Sequence, residues 1–278
     1  MTTLAGKTLI MSGGSRGIGE AIAVRAARDG ANVALIAKTT EPHPKLPGTI
    51  YTAAKAIEEA GGQALPIVGD IRDDEAVRAA VEQTAERFGG IDIVVNNASA
   101  IDLSPTEAVS MKRYDLMQDI NARGSFLLSK LAIPHLRKAA NPHILTLSPP
   151  VSLEEKWFTS GALAYSIAKY SMSLVTVGLS AELRADGIAA NSLWPRTTID
   201  TAAVRNVIGA EIAQRSRKPD IMADAAHAIL TRPSAEVTGN FFIDDEVLAA
   251  EGVTDFAKYR LGGREEDLEL DIWVDRRR

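Results

Sequence analysis

Ser12-Gly13-Gly14-Ser15-Arg16-Gly17-Ile18-Gly19 is the stretch whose reading decides the fold. An apolar run, Thr8 to Met11, leads into it, and a helical pattern from Ile18 to Arg28 leaves it. Glycines at such a junction let the backbone turn sharply and pass close to a diphosphate. The helix that follows offers free N–H groups and the positive end of its dipole. A glycine-rich turn by itself is only a tight turn. Between the first strand and first helix of a parallel sheet it is the turn that cradles a dinucleotide.

Outward from that turn, short apolar runs alternate with helical patterns. Asn32 to Ala37, Ala64 to Val68, Ile91 to Val95, His143 to Leu147, Ile188 to Trp194 and Asn240 to Ile243 read as the second to seventh strands. Helices are expected over Thr49 to Glu59, Asp73 to Phe88, about Lys112 to Lys138, and Gly161 to Ala185. Uninterrupted apolar strands separated by helices imply a sheet buried on both faces. The expected fold class is α/β: a Rossmann-type, doubly wound parallel sheet of about seven strands, in one domain over residues 1–278. Two segments break the rhythm. Thr39 to Gly48 carries three prolines. Arg196 to Pro219 exceeds an ordinary connection and is expected to be a substrate lid. The tail after Asp244 is acidic, weakly patterned and ends in Arg276, Arg277 and Arg278.

Bulk composition narrows the function classes. The 278 residues are 46% hydrophobic and 24% charged, ordinary for a chain with a substantial core. With 31 basic and 36 acidic residues the net charge is −5, which makes no electrostatic case for nucleic acid. The absence of cysteine excludes disulfides and thiolate metal sites, and four scattered histidines point to no metal centre. No uncharged apolar stretch reaches the ~18 residues of a membrane span. No signal-peptide layout precedes the first strand, and a cytoplasmic location is the expectation.

The glycine spacing, G-x3-G-x-G at Gly13, Gly17 and Gly19, resembles that of the short-chain dehydrogenase/reductase family. The resemblance continues through Asn96-Asn97-Ala98, Asn121, Ser148, and Tyr165 with Lys169, over nearly the whole chain. It is closer still to one group of that family in the runs from Ala37 (AKT, then PHPKLPGTIYTAA), Ser148-Pro149-Pro150 and Trp194-Pro195-Arg196. No counterpart of that group's sterol-carrier domain is expected within these 278 residues. The resemblance implies hydride transfer between a nicotinamide cofactor and an alcohol or carbonyl. It also implies a homotetramer or homodimer built on the two long helices. Gly13, Ser15, Arg16, Gly17, Ile18, Gly19, Lys38, Thr39, Asp70, Ile71, Asn97 and Ala98 are then expected at the cofactor.

Charge bears on which cofactor. Folds that bind NAD place an acid at the end of the second strand for the ribose 2′-hydroxyl. Here Ala37 and Lys38 stand there, and lysine attracts a 2′-phosphate where a carboxylate repels it. Arg16 adds a second cation. NADP(H) is expected over NAD(H). Asp70 closes the third strand, where the resemblance puts an adenine contact. Ser99 stands where the family usually has glycine.

Tyr165 and Lys169 lie one helical turn apart, on one face. Alone they are an ordinary helix-surface pair; with the glycine turn before them they suit carbonyl reduction. Hydride addition creates an alkoxide that needs a proton from a nearby acid. Tyrosine ionises near ~10 in water, and a neighbouring lysine favours the phenolate. Phenol and amine must therefore converge beside the nicotinamide. Ser148 is expected to polarise the substrate oxygen, with Ser152 a competitor because Ser148-Pro149-Pro150 departs from the family pattern. The resemblance gives Asn121 a water that links the lysine to solvent, and gives Ile199 and Thr201 the carboxamide. Trp157, Phe158 and Trp194 are candidates for lining a hydrophobic substrate pocket. Enoyl reductases of this fold use Tyr-x6-Lys, and the absence of lysine there, with Ser171 followed by Met172, argues against that chemistry. A non-catalytic NADP(H)-binding regulator remains the alternative.

Overall fold

Strands that are apolar on both faces must be enclosed between two helical layers, and the strands of this chain alternate between two separate cores. In the computed structural model, which describes residues 3–43, 46–159 and 161–276, Leu9, Met11, Val33, Leu35, Ile93, Val95, Leu145 and Leu193 face one layer. Ile10, Ala34, Ile36, Val94, Ile144 and Ala190 face the other. Adjacent residues point to opposite faces because the side-chain period of a strand is two.

Seven strands form one parallel sheet: β1 (Thr8–Ser12), β2 (Asn32–Ala37), β3 (Gln63–Val68), β4 (Ile93–Asn96), β5 (His143–Thr146), β6 (Ala189–Trp194) and β7 (Phe241–Ile243). Their order is β3-β2-β1-β4-β5-β6-β7. Helices α1 (Gly17–Ala27), α2 (Ile50–Glu59) and α8 (Asp220–Leu230) contribute to the first core. Helices α3 (Asp74–Phe88), α5 (Gly124–Leu136) and α6 (Leu163–Glu182) cover the opposite face. Pro66 sits in β3, at the sheet edge, where a missing N–H donor is tolerated.

The expected strands appear with ends shifted by one or two residues. The expected helix over 112–138 is instead α4 (Met111–Met117), a π-helical stretch Gln118–Arg123, and α5. The 196–219 segment holds a π-turn, Val204–Ile208, and a short helix α7 (Ala210–Gln214). It is pinned by Arg217, a buried guanidinium that bonds to Glu265 and lies 5.3 Å from the Phe256 ring. The tail after Asp244 is more ordered than its sequence suggests. It begins with α9 (Asp244–Ala250) and returns along 196–199, where Leu270 bridges Thr197 and Thr198 N–H donates to Glu269 O at 2.9 Å. Pro44 and Lys45, in the proline-rich run, and the terminal Arg277 and Arg278 lie outside the described residues.

At the head of α9 the Asp244 carboxyl is fully buried. Its Oδ1 accepts the N–H groups of Arg196 at 2.9 Å and Asp245 at 2.8 Å, while Oδ2 has no partner. Burial pushes this acid up to about 7, against the Arg196 N–H that opposes the shift. Its unfolded value is ~3.9, so between those two values the folded chain holds a proton that the unfolded chain has lost. The contribution of this group to stability therefore falls as pH rises through that window. Asp244→Asn, which keeps an acceptor for both N–H groups, is expected to flatten the fall in melting temperature between roughly pH 4 and pH 7. Parallel thermal melts of the two proteins across that range measure it.

Candidate active site

The strand order reverses between β1 and β4, and a parallel sheet opens a crevice beyond its strand ends at such a point. Ser12 and Asn97 build that crevice. Ser12 Oγ accepts the N–H groups of Asn97 at 3.2 Å and Ala98 at 3.1 Å, and Asn97 Nδ2 donates back to Ser12 O at 3.1 Å. The Asn97 amide then fills the space under the glycine turn. A Cβ on Gly13 would come within 2.7 Å of Asn97 Nδ2, and one on Gly19 within 2.5 Å. Gly13 also has φ +78, so it is glycine for two reasons. Asn96 points the other way, with Nδ2 donating to Ser129 Oγ at 2.9 Å inside the sheet core.

The crevice encloses about 600 Å³, the size of a small-molecule site. Gly13, Ser15, Arg16, Gly17, Ile18, Lys38, Thr39, Asp70, Ile71, Asn97, Ala98 and Thr201 line it. Gly19 lies behind the turn, against Asn97. At one end Asp70 is held between two cations: Lys38 Nζ at 3.0 Å and Arg72 at 2.6 Å. These bonds, Arg72 foremost, hold its carboxyl well below the usual range. Arg16 reaches across to the Gly48 carbonyl at 3.0 Å. Ile199 does not line the crevice; it is buried and bridges Arg217, whereas Thr201 rests its methyl over Gly17.

Tyr165 and Lys169 share one face of α6, but they do not line the crevice. They are 7% and 2% exposed, and the C-terminal tail packs against the Tyr165 ring. The Trp273 ring lies 5.8 Å from that of Tyr165, 5.5 Å from Trp194 and 5.5 Å from Tyr170, measured between centroids. Lys169 Nζ donates to Leu147 O at 2.6 Å and stands 4.9 Å from the Trp194 ring centre. The Asp271 side chain is within electrostatic reach of both groups. Burial pushes the Tyr165 phenol up and Asp271 adds to the shift, while a hydrogen bond with Ser99 opposes it. Burial pulls the Lys169 ammonium down, against the pull of Asp271. The sequence predicts that lysine draws the phenol down; in the fold, burial and Asp271 push it up instead.

The supporting residues are engaged as follows. Ser148 is fully buried and shares a hydrogen bond with Ser192 Oγ at 2.8 Å; Ser192 in turn donates to Thr176. Ser152 is partly exposed, bonds to Glu154 and accepts the Tyr170 hydroxyl at its carbonyl. Asn121 lies in the π-helical stretch with its whole amide spent on Ala100, at 2.7 Å to the N–H and 3.0 Å to the carbonyl. Trp157 and Phe158 pack with Trp194, Trp273 and Ile272 in one aromatic cluster. Among the described residues no group of three acidic, cysteine or histidine side chains is placed to hold a metal, and no helix is long and apolar enough to cross a membrane.

Sequence reasoning missed three residues. Ser99 registered as a departure from glycine, but its bond to Tyr165 is a tertiary fact. Asp271 and Trp273 stand in a tail read as weakly patterned; the run Ile272-Trp273-Val274, apolar within acidic surroundings, was the available signal.

A family model described as short chain dehydrogenase matches residues 7–211. Hydroxysteroid dehydrogenase-like protein 2 of Danio rerio is 56% identical over 256 residues, which are 92% of this chain and 61% of that protein. The Homo sapiens protein of the same name is 51% identical over 93% of this chain and 61% of its own length. The chain thus spans about three fifths of these relatives. The crystal structure of a short chain dehydrogenase from Mycobacterium thermoresistibile is 59% identical, covers 98% of this chain and 96% of its own, and superposes with a TM-score of 0.92. An NADH-dependent reductase, A1-R′, complexed with NAD is 25% identical over 86% of this chain and 95% of its own, with a TM-score of 0.70.

Proposed function

Because the chain belongs to the short-chain dehydrogenase family, we propose that it is an NADP(H)-dependent oxidoreductase of hydrophobic alcohols, ketones or aldehydes, with Tyr165 as its acid/base. The observation that carries this reading is a phenol and an amine on one face of α6, behind a glycine-turn crevice of dinucleotide size. The lining fits the adenosine and phosphate parts of a dinucleotide. N–H groups of the turn and of the α1 N-terminus meet the phosphates, and Asp70 and Ile71 meet the base. Lys38, Arg16 and Thr39 would hold a 2′-phosphate. When bound, the nicotinamide supplies or accepts the hydride.

The chain's own side chains handle the proton and the position of the substrate. In reduction Tyr165 Oη gives its proton to the alkoxide oxygen, and in oxidation it takes one from the alcohol. The Lys169 amine would hold the nicotinamide ribose of a bound cofactor and favour the phenolate. The Ser148 hydroxyl, turned away from Ser192, polarises the substrate oxygen, and Ser152 is the competing donor. Asn121 acts as a positioning residue by holding Ala100, next to Ser99. Ile199 and Thr201 are assigned to the carboxamide. Trp157, Phe158 and Trp194 give the pocket its apolar wall. We place the single domain in the cytoplasm.

A second reading follows from the covered phenol: an NADP(H)-binding regulator that turns nothing over. Oxidation of NADPH by a panel of carbonyls separates the two, because a regulator binds cofactor and stays inert throughout. On the catalytic reading Tyr165→Phe abolishes turnover and leaves NADPH affinity within about twofold, since the phenol acts on the alkoxide rather than on cofactor binding. Activity surviving that change removes Tyr165 from the mechanism. Lys38→Asp is expected to swing the kcat/KM ratio towards NADH by about tenfold or more, through repulsion of the 2′-phosphate. An unchanged ratio takes Lys38 out of that site. The exposed apolar side chains of Phe126, Leu174 and Val177, on α5 and α6, suit the expected homodimer or homotetramer. Leu174→Glu should lower the mass measured by light scattering, and an unshifted mass excludes this face.

A further inference from the structure

The last turn of the tail packs its Trp273 ring against that of Tyr165 and brings the Asp271 carboxyl within electrostatic reach of both Tyr165 and Lys169, and it is tied down at its rim. Trp194 Nε1 donates to Ile272 O at 3.0 Å, and Asp271 N–H donates to Arg196 O at 3.0 Å. Arg196 Nη1 holds Asp275 O at 2.8 Å, and Lys156 Nζ pairs with the Asp275 carboxylate at 3.0 Å. Between these ties Trp273 is 2% exposed and Val274 6%, both within the cluster that contains Tyr165. Ser99, Ala100 and Ile101 line the crevice whereas Tyr165 does not, its phenol meeting the lining through the bond to Ser99.

The seat is also imperfect. Trp273 has φ +67, a left-handed backbone that suits glycine and costs a tryptophan energy. Its indole N–H is buried without a hydrogen-bond partner, and such orphaned donors are rare in settled cores. The Asp271 carboxyl is desolvated against Lys169. A segment closed by ties at its rim but strained at its centre is suited to opening.

We propose that Asp271–Val274 is a strap closed over Tyr165 and Lys169, and that Trp273 is the latch whose displacement admits substrate. The Trp273 ring lies 5.8 Å from that of Tyr165, centroid to centroid, and on this proposal the indole moves aside before a substrate packs against the phenol. The strap rests on the reading of Tyr165 as the acid/base only for its consequence in turnover. As a cover it stands on geometry alone.

The chain has no cysteine, so Tyr165→Cys supplies a single thiol at the covered position. Its rate of reaction with a dithiobenzoate reagent measures how often the cover opens, whatever the protein catalyses. In otherwise unchanged protein that thiol should react slowly. Adding Trp273→Ala should speed the reaction at least about tenfold, the factor that a seat worth ~1.4 kcal/mol would give. Adding Trp273→Phe, which keeps a ring in the seat, should leave it slow. A chain ending at Leu270 repeats the test without a substituted latch. Retained NADPH binding, in a crevice that the strap does not line, reports that each protein is folded. Equal labelling rates with and without the strap would overturn the proposal. Faster labelling together with an inert native Tyr165 protein would keep the strap and sink the proposed chemistry.

Discussion

The site depends first on how the ends of two neighbouring strands are tied. Ser12 receives two N–H groups from the end of β4, and Asn97 returns one hydrogen bond to the end of β1. These bonds satisfy backbone groups that would be orphaned where the strand order reverses. They also place an amide under the glycine turn, so closely that only hydrogen fits on Gly13 and Gly19. The glycines are thus required from below by Asn97 as much as from above by any phosphate. Take away that contact and the crevice has no floor.

From that floor outward the site is a balance of burial against charge. At the Asp70 end the groups are open to solvent, so Asp70 settles its charge by pairing with Arg72 and Lys38. At the other end solvent is excluded and the same physics runs the opposite way. Tyr165 is driven towards its neutral form and Lys169 loses affinity for its proton. Neutral phenol and weakened ammonium are the states of lowest cost under a closed cover.

The tail helps to exclude that solvent. It returns along residues 194–198, tied to them by Thr198, Arg196 and Trp194, and it ends in Trp273 against the phenol. Buried arginines anchor the route: Arg217 bonds to Glu265, and Arg196 to Asp245 and Glu246. The segment after β6 and the C-terminal segment therefore behave as one layer, joined along their backbones.

Local pattern made much of this legible. Continuous apolar strands, glycine punctuation and the Ser12–Gly19 turn determined the sheet, its parallel sense and the place of the crevice, because each is written in neighbouring residues. The i, i+4 spacing likewise determined that Tyr165 and Lys169 share a face. Which partners those two meet was decided by tertiary structure alone. Asp271 and Trp273 lie about a hundred positions further along the chain, and no short-range period announces a contact across that separation. Nor did the sequence show that Ser148 would turn to Ser192, or that the Asn121 amide would be spent on Ala100. Polar side chains take whichever partner the fold brings within about 3 Å, and that choice is made only when the layers close.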